Sequence, residues 1–201
     1  MNGRLIFDSD LLNLLPVPHP VWDHQSLDTP DWQGAYPRHT RAYVRLDLSF
    51  RVYWHTLYDV CPELIGLSGQ PDGLPIFRPF MMWAEKLQLS FNWTFYLWVY
   101  CWLLQSEFAT KLTPEIVHKL IAASAARWAV MDRGINSGIV IGGSDFPEVF
   151  AGWKQHAVDG RREVELIELD EPLPKPEQWL GYFTVPQFEL DLFPGWSEIP
   201  Q

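Results

Sequence analysis

From Tyr43 to Trp54 the even-numbered positions are apolar: Val44, Leu46, Leu48, Phe50, Val52 and Trp54 alternate with Arg45, Asp47, Ser49 and Arg51. Period two is the mark of a strand with one buried face. From Leu89 to Leu104 the odd positions Leu89, Phe91, Trp93, Phe95, Leu97, Val99, Cys101 and Leu103 are all apolar. The even ones pass from Ser90, Asn92 and Thr94 into Tyr96, Trp98, Tyr100 and Trp102. This predicts a strand that is amphipathic at its start and buried on both faces at its end. A buried helix is the competitor, and the aromatic and β-branched content favours the strand.

Helical spacing is clearer further on. Thr113 can cap, Pro114 suits the first helical position, Glu115 complements the dipole, and Val117, Leu120, Ile121, Ser124 and Trp128 fall on one face. Gly134 follows as a stop. Asp145 and Glu148 have capping-box spacing and predict a second helix over 146–157 with Val149, Phe150 and Trp153 inward. The run between them reads as turn, short strand, turn, and residues 80–88 as a third, short helix. Past Gly160, EVELIELD alternates incompletely, and WLGYFTVPQFELDLF can supply one or two strands, with Pro186 confined to an edge or a break.

Prolines gather at both ends. Pro16, Pro18, Pro20, Pro30 and Pro37 lie in the first forty residues, and Pro172, Pro174, Pro176, Pro186, Pro194 and Pro200 in the last thirty-one. Proline fixes φ and removes a donor, so these stretches should be extended. They also carry apolar anchors, Trp22 and Trp32 at one end and Trp179, Phe188 and Trp196 at the other, unlike a disordered linker. The expectation is an α+β fold of one domain: a mainly antiparallel sheet containing 43–54 and 91–104, covered by helices at 114–131 and 146–157. Arms at 1–40 and 171–201 would flank a core at 41–170 and lie along a surface, this chain's own or a neighbour's.

Composition adds eleven tryptophans in 201 residues, a density that points to packing or to partner binding. The formal charge of −10 is uneven. Residues 1–40 hold five acidic against two basic side chains, 41–156 ten of each, and 157–201 ten against three. An acidic end without a basic stripe argues against direct nucleic-acid binding. Glu163, Glu165, Glu168, Asp170 and Glu171 form a cluster that suits a basic protein surface, unless it serves solubility alone. Cys61 and Cys101 lie far apart, as in a reducing cytoplasm, and the beginning reads as mature sequence without a signal peptide. The uninterrupted apolar part of 89–104 is too short for a membrane span.

Chemical motifs are weak. His19, Asp23 and His24 offer ligand types but no metal-site spacing, and Asp8 with Asp10 reads as helix capping. His55, Asp59 and Cys61 sit within seven residues, yet a nucleophile and its base usually converge from distant parts of a chain, and cysteine is commonly buried. Gly134, Gly138, Gly142 and Gly143 lack the lysine of a phosphate loop. No catalytic residue, metal or cofactor is therefore assigned. The expected function is a non-catalytic interaction subunit of a virion or other multiprotein complex. It would dock through Trp22, Trp32, Trp179, Phe188, Trp196 and the five carboxylates onto protein partners, including copies of itself. The alternatives are an acidic inhibitor of the immunity or anti-defence type, covering a basic surface, and an enzyme with a dispersed active site.

Overall fold

A computed structural model gives the structure of residues 4–7, 41–131, 137–144, 149–153, 162–167, 173–186 and 192–200. The fold is α+β. The described elements run β1 (Arg4–Phe7), α1 (Arg41–Tyr58), α2 (Glu63–Ser68), α3 (Leu74–Lys86), α4 (Phe95–Gln105), α5 (Pro114–Met131), β2 (Ser137–Gly143), β3 (Val149–Trp153), β4 (Arg162–Ile167), β5 (Leu180–Pro186) and β6 (Ser197–Glu198). The strands form one sheet in the order β1-β4-β3-β2-β5-β6, every pairing antiparallel. The chain divides into two compact units, Leu14–Pro79, and Met1–Asn13 with Phe80–Gln201. The division falls inside α3 at Pro79, which removes one helical hydrogen bond. No helix among the described residues is long and apolar enough to cross a membrane.

In the unit Leu14–Pro79, the segment expected as a strand at 43–54 is helix α1. The residues that decide it lie at the end of the pattern. Phe50, Trp54, Leu57, Tyr58 and Cys61 are buried at helical spacing, whereas Val52, which alternation would bury beside Phe50 and Trp54, is 39% exposed. The indole of Trp54 donates to the Asp72 carbonyl at 2.7 Å and the Tyr58 hydroxyl donates to that of Gly73. Gly73 has φ +65°, and a Cβ there would fall 2.4 Å from the Tyr58 ring. Burial and the neighbouring Asp72 and Cys61 push the Tyr58 pKa up.

In the other unit, the segment 91–104 is also not a strand. Phe95–Gln105 forms α4, with Phe95, Tyr96, Leu97, Val99, Tyr100, Cys101, Trp102 and Leu103 all buried. A helix buried on nearly every side has no apolar stripe, so period alone cannot separate it from a doubly buried strand. The turn before it is set by Asn92, whose side-chain oxygen accepts from the Thr94 N–H at 2.9 Å and the Thr94 hydroxyl at 2.8 Å. Helix α4 packs on α5, and α5 lies across β2, β3 and β4. The helix predicted at 114 matches α5, where the Thr113 hydroxyl accepts weakly from the Ile116 N–H at 3.4 Å.

The helix expected at 146–157 is absent at its centre, because Val149–Trp153 is β3, between β2 and β4. Gly152 explains this. A Cβ there would stand 3.0 Å from the Ala125 carbonyl oxygen and 3.2 Å from Ile139, so α5 rests directly on the strand. Glycine is unfavourable inside a helix and serves here for close approach. The short strand expected between the two predicted helices, that in EVELIELD and one of those in WLGYFTVPQFELDLF correspond to β2, β4 and β5, and Pro186 ends β5.

The sheet's second face holds Val140, Val149, Ala151, Phe183 and Val185, covered by Leu173, Phe193 and Trp196 of the proline-rich C-terminal segment. Trp196 lies over a cross-strand pair of glycines, Gly142 opposite Gly181. A Cβ on Gly142 would come within 2.5 Å of its ring, and one on Gly181 within 2.9 Å of its Cβ. The indole N–H donates to the Pro174 carbonyl, and the ring meets Phe183 and Phe193 at 5.2 and 5.5 Å between centroids. Removing this side chain as Trp196→Ala should destabilise the protein by about 3 kcal/mol, the usual order for a packed Trp. Gly142→Val should lower the melting temperature by displacing the same ring. The double variant, followed by circular dichroism, should lose less than the two single losses together; strict additivity would show that the residues do not act as one contact.

Candidate functional site

A cleft of about 650 Å³ opens in the unit that holds the sheet, a size in the range of small-ligand and peptide sites. Its first wall is the end of α3, with Trp83, Leu87 and Leu89. Phe80, one turn earlier, is fully buried and meets Phe91, Phe95 and Trp102 at 5.9, 5.7 and 6.2 Å, which ties this part of α3 to α4. The helix then stops in a Schellman turn: the Leu89 N–H donates to the Ala84 carbonyl at 3.0 Å and the Gln88 N–H to that of Glu85 at 3.0 Å. Gln88 takes φ 55°, the left-handed position that glycine usually fills, and so stores local strain at the rim.

The second wall is a stripe of α4. Trp98, Cys101 and Gln105 are spaced by three and four residues and line the cleft together. The Gln105 amide donates to the Cys101 carbonyl at 3.0 Å, which fixes that side chain against its own helix. The indole Nε1 of Trp98 is buried and meets no acceptor among the described residues. The third wall comes from the sheet's C-terminal edge: Glu177, Gln178, Trp179 and Leu180 entering β5, then Glu198, Ile199 and Pro200 around β6. The Trp179 carbonyl accepts from the Ser144 N–H at 3.1 Å, so the backbone is anchored while the side chain stays 45% exposed. Pairing of Gly181 with Glu198 and Tyr182 with Ser197 sets the position of the last segment.

Chemically the lining is aromatic and acidic: three indoles, two carboxylates, two amides and one thiol, with no cationic side chain among these residues. Burial pushes the Cys101 thiol up to about 12, so at neutral pH it is a thiol and not a thiolate nucleophile. The cleft thus has the makings of a binding surface and lacks an activated nucleophile at Cys101.

Of the residues proposed from sequence, Trp179 is in this cleft and Trp196 supports its edge from the second sheet face. Glu163 and Glu165 lie in β4, opposite Trp153 and Ala151, on the far side of β3 and β2 from β5. The structure therefore does not bring them to Trp179. Trp22, Trp32, Phe188, Glu168, Asp170 and Glu171 lie outside the described residues, as do His19, Asp23 and His24. His55 Nδ1 stands 3.4 Å from an Asp59 oxygen and the Cys61 thiol points at Glu63 at 3.5 Å, two separate local contacts. No group of three potential metal ligands occurs among the described residues. Gly138, Gly142 and Gly143 are strand residues of β2. Sequence reasoning missed Trp83, Trp98, Glu177 and Glu198; the tryptophan density was their signal, but spacing alone did not bring them together.

Fold and site together define an α+β protein with an aromatic, acidic cleft at the β6 edge of its sheet. Residues 33–200 match the family described as methanobactin biosynthesis cassette protein MbnC-like, and the chain belongs to that family. No curated protein matches it. Membership of a biosynthesis family corrects the expected function: an assembly subunit of a virion or similar complex is overturned, and with it the viral and structural reading and the virion location. The inhibitor alternative falls with the same finding, which points to a role associated with a biosynthetic enzyme.

If Cys101 is held as a thiol by burial, its labelling by iodoacetamide at pH 8 should be far slower than that of free cysteine and should accelerate on unfolding. The unfolded chain loses this proton near the ordinary value of 9.0, while the folded one keeps it until about 12. The stabilising contribution is therefore complete below about pH 9 and declines as the pH rises towards 12. Denaturant titrations of the wild type and Cys101→Ala across pH 8 to 10.5 should show a steeper decline in the wild type, with the part that Tyr58 contributes above about pH 10 common to both.

Proposed function

We propose that this chain serves methanobactin biosynthesis as a binding component, holding a ligand or substrate in its cleft while a protein partner carries out the chemistry. The observation that carries this reading is the make-up of the cleft. Three indoles and two carboxylates share it, and its thiol is protonated at neutral pH. Such a surface recognises and orients, and orientation alone accounts for a large part of many rate enhancements. A half-exposed Trp179 on an anchored backbone supports the same role, because large aromatic side chains held in place dominate binding energy. The family's name supports the pathway, and biosynthesis by a cassette supports work alongside other proteins. A cytoplasmic setting accords with Cys61 and Cys101, both free thiols.

The test is reconstitution with the other proteins of the chain's own cassette. The chain alone should convert nothing, the others without it should form little product, and the mixture should be active. Trp179→Ala should reduce product formation about tenfold, as for a central binding residue, and leave the melting temperature within a few degrees because the side chain is half exposed. Turnover by the chain alone would make it the catalyst, and full activity of Trp179→Ala would remove the cleft from the reaction.

A further inference from the structure

The cleft's composition narrows what it holds. Glu177 and Glu198 reach it from the two sides of the β5-β6 pairing, one just before β5 and one within β6. No lysine or arginine is among the described residues that line the cleft. Trp83, Trp98 and Trp179 supply the remaining large surfaces. A cation is attracted both to carboxylates and to the negative face of an indole, and the two attractions strengthen when water is partly excluded. An anion would meet two like charges, and a purely apolar ligand would leave both carboxylates desolvated without a partner.

We propose that the cleft is a recognition site for an organic cation on an apolar stem, of the guanidinium or ammonium kind. The stem lies along the indoles, and the charge is matched by Glu177 and Glu198. The inference rests on the reading that this cleft is where the protein binds its ligand. The chemistry is the same for a free small cation and for an arginine-type side chain within a peptide.

The experiment follows the indole N–H signals of the ¹⁵N-labelled full chain by nuclear magnetic resonance, with Trp98 and Trp179 assigned through Trp98→Phe and Trp179→Phe. The probes are N-acetyl-arginine amide, the equally long but neutral N-acetyl-citrulline amide, and an acetylated, amidated Ala-Arg-Ala tripeptide. The arginine probes should shift the Trp98 and Trp179 signals, and citrulline should bind at least about fivefold more weakly. Glu177→Gln and Glu198→Gln should each weaken arginine binding by about three- to tenfold, and raising salt should do likewise. Tighter binding of the tripeptide identifies a peptide-borne cation, and tighter binding of the free amide a small one; both support the proposal. Equal binding of citrulline, or shifts confined to other indoles, overturns it. The two readings separate cleanly. Loss of product with Trp179→Ala but no preference for arginine removes the cation and keeps the binding role, whereas arginine preference with undiminished product does the reverse.

Discussion

The contact between Trp196 and the glycine pair Gly142–Gly181 is the constraint on which the arrangement around the cleft depends. Only hydrogen atoms at both glycines let an indole lie flat against β2 and β5. Once seated, its N–H reaches the Pro174 carbonyl, so one side chain holds two separate stretches of a proline-rich segment to the sheet. Proline leaves few backbone donors for a ladder, and side-chain packing takes over the task of fixing register. Two residues beyond Trp196 is Glu198, and just before Gly181 are Trp179 and Leu180. One wall of the cleft is thereby set by the packing around Trp196.

The sequence was most legible where local chemistry and burial agree. Pro114 with Glu115 marked α5, and Pro186 marked the end of β5, because each residue has a narrow set of compatible backbones. It misled where period two arose from composition. In Tyr43 to Trp54 the alternation ran out before the helical stripe that continues to Cys61, and in α4 apolar residues point in almost every direction. The capping spacing at Asp145 and Glu148 was outweighed by Gly152, whose lack of a side chain admits α5. These are cases in which tertiary contact decides over pattern.

The cleft was barely legible for a related reason. Its walls come from α3, α4 and the last two strands, and only the fold makes neighbours of Trp83, Trp98 and Trp179. Charge counting found an acidic C-terminal region but pointed to Glu163 and Glu165, which the sheet order carries away to β4. Glu177 and Glu198, isolated in sequence, are the carboxylates that share a surface. Membership of the MbnC-like family sets the protein in a biosynthesis cassette.

The glycine pair has a consequence for how relatives of this chain should vary. Positions 142, 181 and 196 make one steric unit spread over 55 residues of sequence, so substitutions at them are not independent. A chain that places a side chain at either glycine must give up the flat indole or shift the strand that bears it, and a chain with a small residue at 196 is free to carry alanine or serine at the other two. Coordinated change at these three positions, more than the mere presence of a tryptophan, is the evolutionary trace such a contact leaves.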